Sequence, residues 1–208
     1  MSRHRRSKGG PKAGQRRQDA FSIKAKAAGF PARSVYKLEE IHRRVRIFRQ
    51  GQKVLDLGAS PGSWTLFAAG QVGKKGSVLG IDLKPPRTTL PVNAEYRIGD
   101  VYDETIASLG GPFDVVLSDM APNTTGARDA DMACSYRLFI AALRLAEGTL
   151  VPGGKFVGKI FQGEDFEDAR AQCRKSFEKV RIIRPKATRD ISYELFLVGI
   201  GFKKVVVE

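Results

Sequence analysis

Cysteine and histidine are almost missing from this chain: Cys134, Cys173, His4 and His42 are the only ones in 208 residues. Neither cysteine has a CxxC neighbour, and both fall in segments with a helical pattern. That spacing excludes the usual zinc-ligand arrangements and a disulfide framework, so no metal is expected and a reducing, cytoplasmic setting is. Long apolar runs are lacking too. The longest uncharged stretch, Leu57 to Gly73, is broken by glycines, serines, a proline and a glutamine, so no membrane span and no membrane partner are expected. No apolar signal segment follows the basic start. Also absent are G-x-G-x-x-G and G-x-x-x-x-G-K-[ST], which removes the standard cradles for a dinucleotide or a triphosphate.

Acidic residues are scarce only at one end. Residues 1–53 hold 16 Lys/Arg against 3 Asp/Glu, and the remainder holds 20 against 19, so the net charge of +14 is almost wholly N-terminal. Such a basic arm on a neutral body is the electrostatic footprint of a phosphate-backbone binder, and RNA is the expected partner class. Residues 1–18 are too poor in apolar side chains for an amphipathic transit helix, and are expected to be disordered in isolation. Residues 19–208 are expected to form a single domain, and nothing in the pattern points beyond a monomer.

Along that body, apolar runs alternate with helical periodicity. A helix is expected over Asp19–Ala28. A second follows, capped by Ser34, with Val35, Leu38, Ile41 and Val45 on one stripe and with Tyr36 and Lys37 beside it, Lys37 directed along the surface. Strands are expected at Lys53–Leu57, Ser77–Ile81, around Tyr96–Ile98, Phe113–Ser118, Lys155–Phe161, Val180–Ile183 and Glu194–Phe202. Helices are expected to Val72, over Glu104–Leu109, Asp131–Leu150 and Phe166–Phe177. This order predicts an α/β fold with a mostly parallel sheet, closed by an antiparallel last strand. It resembles the Rossmann-like, seven-stranded fold of S-adenosylmethionine-dependent methyltransferases.

Val54–Trp64 is the strand–turn–helix at its centre. Free backbone N–H groups and a helix N-terminus are expected at the turn, on the sheet edge where ligands of open α/β folds sit. Gly58 and Gly62 bracket the turn, Gly62 allowing close backbone approach, and Pro61 stiffens the entry. A cofactor lacking phosphate but ending in an α-amino acid needs acceptors instead. Asp82, closing the next strand, can bind both hydroxyls of a ribose, and Asp100 can accept from an adenine amino group.

The motifs Ser34–Ile41, Val54–Trp64, Ser118–Asn123, Gly158–Glu164 and Ser192–Glu194 together resemble the FtsJ/RrmJ family of RNA ribose 2′-O-methyltransferases, from about Asp19 to Gly201. The resemblance implies S-adenosyl-L-methionine held at Gly62, Trp64, Asp82, Asp100 and Asp119, and the turn reading adds Gly58 and Pro61 to the expected cofactor-binding residues. It further implies a catalytic tetrad of Lys37, Asp119, Lys159 and Glu194. Serine at 60 and 63, and glycine at 158, stand where the family often has alanine, glycine and valine. The implied substrate is a uridine of 23S ribosomal RNA in the large subunit; a transfer-RNA anticodon loop, a messenger cap, or a non-catalytic role in ribosome assembly are the alternatives.

The residue types suit that chemistry. Transfer to a ribose hydroxyl needs the hydroxyl positioned and its proton removed. Lys159, within the apolar run Phe156–Phe161, is the expected base, because burial and a second cation favour a neutral amine. Lys37 would supply that cation, while Asp119 and Glu194 would orient the lysines and the ribose. Amine methylation would call for an aromatic in the Asp119–Asn123 loop, which has none. Pyrimidine carbon methylation would call for a cysteine nucleophile in a loop.

Overall fold

The parallel strands predicted from sequence do assemble side by side. The computed structural model describes residues 13–105, 108–188 and 192–203, without the side chains of residues 13–19. In chain order the elements are α1 (Ala13–Ala27), α2 (Val35–Val45), β1 (Lys53–Leu57), α3 (Ser63–Val72), β2 (Ser77–Asp82) and β3 (Ala94–Ile98). Then come β4 (Phe113–Ser118), α4 (Arg128–Thr149), β5 (Leu150–Phe161), α5 (Phe166–Ser176), β6 (Phe177–Ile183) and β7 (Glu194–Phe202). They form one seven-stranded sheet in the order β3-β2-β1-β4-β5-β7-β6. The pairs from β3 to β5 are parallel, and β7 runs antiparallel to both β5 and β6. This is the expected Rossmann-like architecture.

Strand alternation decides what each face of the sheet packs against. Leu55, Val116, Phe156, Ile160, Leu195 and Leu197 pack with Phe139 and Leu143 of α4 and with Phe166 and Cys173 of α5. Val54, Val115, Leu117, Val157, Phe196 and Val198 pack on the other face with Leu38 and Ile41 of α2 and with Trp64, Ala68 and Val72 of α3. Lys159 and Glu194 follow the odd–even register of Val157 and Phe196, so both belong to the α2/α3 face.

Several local expectations are corrected. Helix α1 begins at Ala13 rather than Asp19, drawing in residues 13–18 of the arm; alanine, arginine and glutamine there are good helix formers despite being polar or small. The rest of the arm, 1–12, lies outside the described residues. Ser34 does not cap α2: its backbone is already helical and its side chain makes no capping bond. The helix expected over 104–109 is not formed by the described residues there, 106–107 lying outside them. Thr105 N–H donates to Ser108 Oγ and Ser108 N–H to Thr105 Oγ1, a side-chain alternative to helical bonding. Strand β5 starts at Leu150 instead of Lys155, and Pro152–Gly154 sits where the pairing with β4 shifts register.

Two features of the packing are testable. A Cβ on Gly158 would stand 2.6 Å from ring atoms of both Phe139 and Phe156, so the two phenyls occupy the space a valine would use. Gly158→Val is expected to destabilise the fold by about 1–3 kcal/mol, read as a lower urea midpoint, and Phe139→Leu should recover part of the loss. The second concerns Asp56, fully buried on β1, whose Oδ2 accepts from Thr65 Oγ1 of α3 at 2.7 Å while Oδ1 has no partner. Burial lifts its carboxyl from 3.8 to about 7, helped by Asp119 and Asp82 and opposed by the Thr65 bond.

The sign for Asp56 follows directly. Between the ordinary value and about pH 7 the unfolded chain has released this proton and the folded chain retains it, so stability falls as pH rises and levels off above pH 7. Asp56→Asn removes that slope. Its stability relative to wild type should therefore rise by up to roughly 4 kcal/mol from pH 4 to pH 8 in urea unfolding, and parallel pH profiles would refute the assignment.

Candidate active site

At the carboxyl edge of β1 the chain turns through Gly58 and Gly62, both at positive φ (75° and 108°) that favours glycine. A Cβ at Gly58 would collide with the Met120 side chain, so the turn and the segment after β4 are in direct contact. The N–H groups of this turn are not free, contrary to expectation. Gly58 and Ala59 N–H donate to Ile81 O, Ser60 N–H to Asp82 Oδ2, and Gly62 N–H to Ala59 O, at 2.7–3.1 Å. The turn is thereby fastened to β2, and what remains for an anion is the first turn of α3.

Beside the turn lies a cavity of about 530 Å³, of the size small-molecule sites have. Gly58, Pro61, Asp82, Asp100 and Asp119 line it. Gly62 and Trp64 do not. Trp64 is buried in the core, its Nε1–H donating to Ser34 O at 2.9 Å and its ring centroid 5.7 Å from that of Phe196. Asp82 Oδ1 accepts from Lys84 N–H at 2.9 Å and Asp100 Oδ1 from Tyr102 N–H at 3.0 Å, which fixes both carboxylates at the ends of their strands. Leu83, Val101, Tyr102, Met120 and Leu138 add apolar walls that sequence reasoning missed. The first three directly follow Asp82 and Asp100, a signal that could have found them. Three carboxylates between apolar walls suit a ligand with hydroxyls, an amino group and positive charge.

The other expected residues meet at the same edge as two ion pairs. Parallel pairing sets Ser118 of β4 opposite Gly158 of β5, so Asp119 follows next to Lys159. Lys159 Nζ donates to the Asp119 carbonyl at 2.5 Å, and Asp119 Oδ1 stands 3.0 Å away. That oxygen is near enough for charge pairing yet outside hydrogen-bonding geometry, so it remains an acceptor without a donor. Lys159 is only 6% exposed.

Lys37 does not run along the surface; its Nζ contacts Glu194 Oε1 at 2.5 Å. It also lies 5.9 Å from the centre of the Phe196 ring. Thr188 Oγ1, which the sequence did not single out, reaches Glu194 Oε1 at 3.5 Å. In the β5–β7 ladder Glu194 opposes Phe161 and Phe196 opposes Lys159, so Glu194 and Lys159 are diagonal neighbours on one face, roughly 7–8 Å apart. Among the described residues no group of three or more His, Cys, Asp or Glu could hold a metal ion. Both cysteines are free, and burial pushes the Cys173 thiol up to about 12.

The FtsJ-like methyltransferase family model matches residues 30–202. The Ribosomal RNA large subunit methyltransferase E of Sorangium cellulosum is 53% identical over 195 residues, covering 93% of this chain and 92% of that protein. The protein of the same name from Desulfatibacillum aliphaticivorans is 49% identical over 185 residues, covering 88% and 89%. Among solved structures, one described as a ribosomal RNA methyltransferase from Plasmodium falciparum shares the fold at TM-score 0.72, with 23% identity over 83% of this chain and 98% of that one. With the family model reaching from before α2 to the end of β7, and relatives about half identical along nearly their whole lengths, this chain belongs to the FtsJ-like methyltransferase family.

Proposed function

We propose that this protein methylates a ribose 2′-hydroxyl of large-subunit ribosomal RNA, using S-adenosyl-L-methionine. The observation that carries the reading is the pairing of Lys159 with Asp119, which lines the cavity, with the Lys37–Glu194 pair diagonal to it. When bound, the cofactor supplies a sulfonium methyl that a hydroxyl oxygen can attack. Asp82 would hold its ribose, Asp100 its adenine, and the first turn of α3 its carboxylate.

The chain's own work is to position the target and take its proton. Lys159 would accept the proton of the 2′-hydroxyl as the methyl is transferred. Asp119 fixes the direction of that amine through its carbonyl, and its carboxylate balances the ammonium that results. Glu194 holds Lys37 at the edge of α2, where the cation grips the ribose or its phosphate. Supporting the substrate class are the relatives' names and the basic N-terminal region, whose 16 Lys/Arg suit a phosphate backbone. We place the protein in the cytoplasm, as a monomer.

Lys159→Ala should lower methylation of large subunits from a strain lacking this protein by roughly 100- to 10,000-fold with cofactor affinity kept. Full activity in that variant would remove Lys159 from the base role, and a base-methylated nucleoside in the digested product would overturn the ribose assignment. Removing residues 1–18 should weaken RNA binding and flatten its dependence on salt, by about 0.7–0.9 in log–log slope for each phosphate no longer neutralised. An unchanged slope would show that the arm does not touch the backbone.

A further inference from the structure

One aromatic side chain at the site's rim has no use in the steps above. Tyr193 directly precedes Glu194 and is 48% exposed. Arg128, the first residue of α4, lies with its guanidinium carbon 4.2 Å from the centre of the Tyr193 ring. An exposed tyrosine covered by an arginine differs from Lys24 over Tyr36, the other cation–tyrosine pair among the described residues, where the tyrosine is buried beside Val35 and Ala187. Arg128 makes no ion pair among the described residues, and it stands at a helix N-terminus, where the dipole disfavours a cation. Helix stability therefore gives no reason for an arginine at this place.

Both members are held in position. The Asp119–Arg128 connection is braced by Asp131, whose Oδ1 accepts from Thr125 N–H at 2.8 Å and from Thr125 Oγ1 at 3.1 Å. Tyr193 O accepts from Gln162 N–H at 2.8 Å, and Ser192 O from Arg184 Nη2 at 2.8 Å. The two chain segments that carry Asp119 and Glu194 thus also carry the two halves of the pair, one at the far end of its loop and one on the adjacent residue.

We infer that Tyr193 and Arg128 form a stacking surface for the base of the nucleotide being methylated or its immediate neighbour. The inference rests on the proposed ribose methylation. Unstacked RNA bases are characteristically received on aromatic rings and guanidinium planes, because every base offers a π-face, and Tyr193 directly precedes Glu194, whose pair with Lys37 would meet the target ribose or its phosphate. The pair would thereby act as a positioning and specificity element that demands a splayed, single-stranded target and leaves the cofactor untouched.

The test uses the full-length protein, large ribosomal subunits from a strain lacking it, and the variants Tyr193→Ala, Tyr193→Phe and Arg128→Ala. Tyr193→Ala is expected to lower kcat/KM for the subunits by roughly 5- to 150-fold, with the KM for S-adenosylmethionine and the melting temperature unchanged. Tyr193→Phe should retain activity, since the ring and not the hydroxyl does the stacking, and Arg128→Ala should fall between. Wild-type kcat/KM in Tyr193→Ala overturns the inference alone. So does a parallel loss of cofactor affinity, or a Tyr193→Phe as impaired as the alanine variant. Absence of any 2′-O-methylated product with the wild-type protein overturns the underlying activity, and the inference with it.

Discussion

A buried lysine at the end of a central strand is the constraint around which the site is arranged. Lys159 extends an apolar run on β5, and water cannot solvate it there. A charge so placed has to be met by a fixed partner, and breaking a buried pair of this kind costs about 3–5 kcal/mol. The partner comes from the neighbouring strand because the β4–β5 register places Asp119 alongside. That register is in turn set by which side chains must face α2 and α3 and which must face α4 and α5, since a slip of one residue would exchange the two faces. The charge pair and the hydrophobic packing are therefore one requirement.

The remaining parts are tied to that edge by Trp64. Its ring lies against Phe196, which sits opposite Lys159 in the ladder and beneath Lys37, and its indole N–H is bonded to Ser34 just before α2. One side chain at the start of α3 thus connects the turn beside the cavity with the helix bearing Lys37 and the strand bearing Glu194. Mechanical coupling of this sort holds the two ion pairs in a fixed relation to the cavity. Trp64 contributes by fixing these elements, while the cavity wall is made by its neighbours in the turn.

The glycine turn is similarly more committed to the fold than its pattern implies. With four of its N–H groups bonded to β2, to Asp82 and to itself, it is a rigid junction between strands. Asp82 serves that junction as well as the cavity. Asp56 behind it, with one oxygen orphaned, carries a cost of burial that a purely structural position would avoid. Carboxylates are concentrated here, and a positively charged ligand would relieve their mutual repulsion.

Much was legible in the residues alone. Strands β1, β4 and β7 begin and end where their apolar runs do, and acids at the strand ends announced the cavity, because both signals are local and repeat with the strand's period. Absence of a phosphate fingerprint and the basic N-terminal region likewise needed no structure. Tertiary structure decided the rest. The helix expected at 104–109 gave way to side-chain bonds of Thr105 and Ser108, and Gly158 owed its size to two phenyl rings, one of them nineteen residues away on α4. Lys37, expected beside its helix stripe and directed along the surface, is instead held by Glu194, brought from the far end of the chain to 2.5 Å. Periodicity and motif determine which element a residue sits on and which edge it reaches. Only the packed sheet determines what it meets there, since partners more than a hundred residues apart are chosen by register and burial.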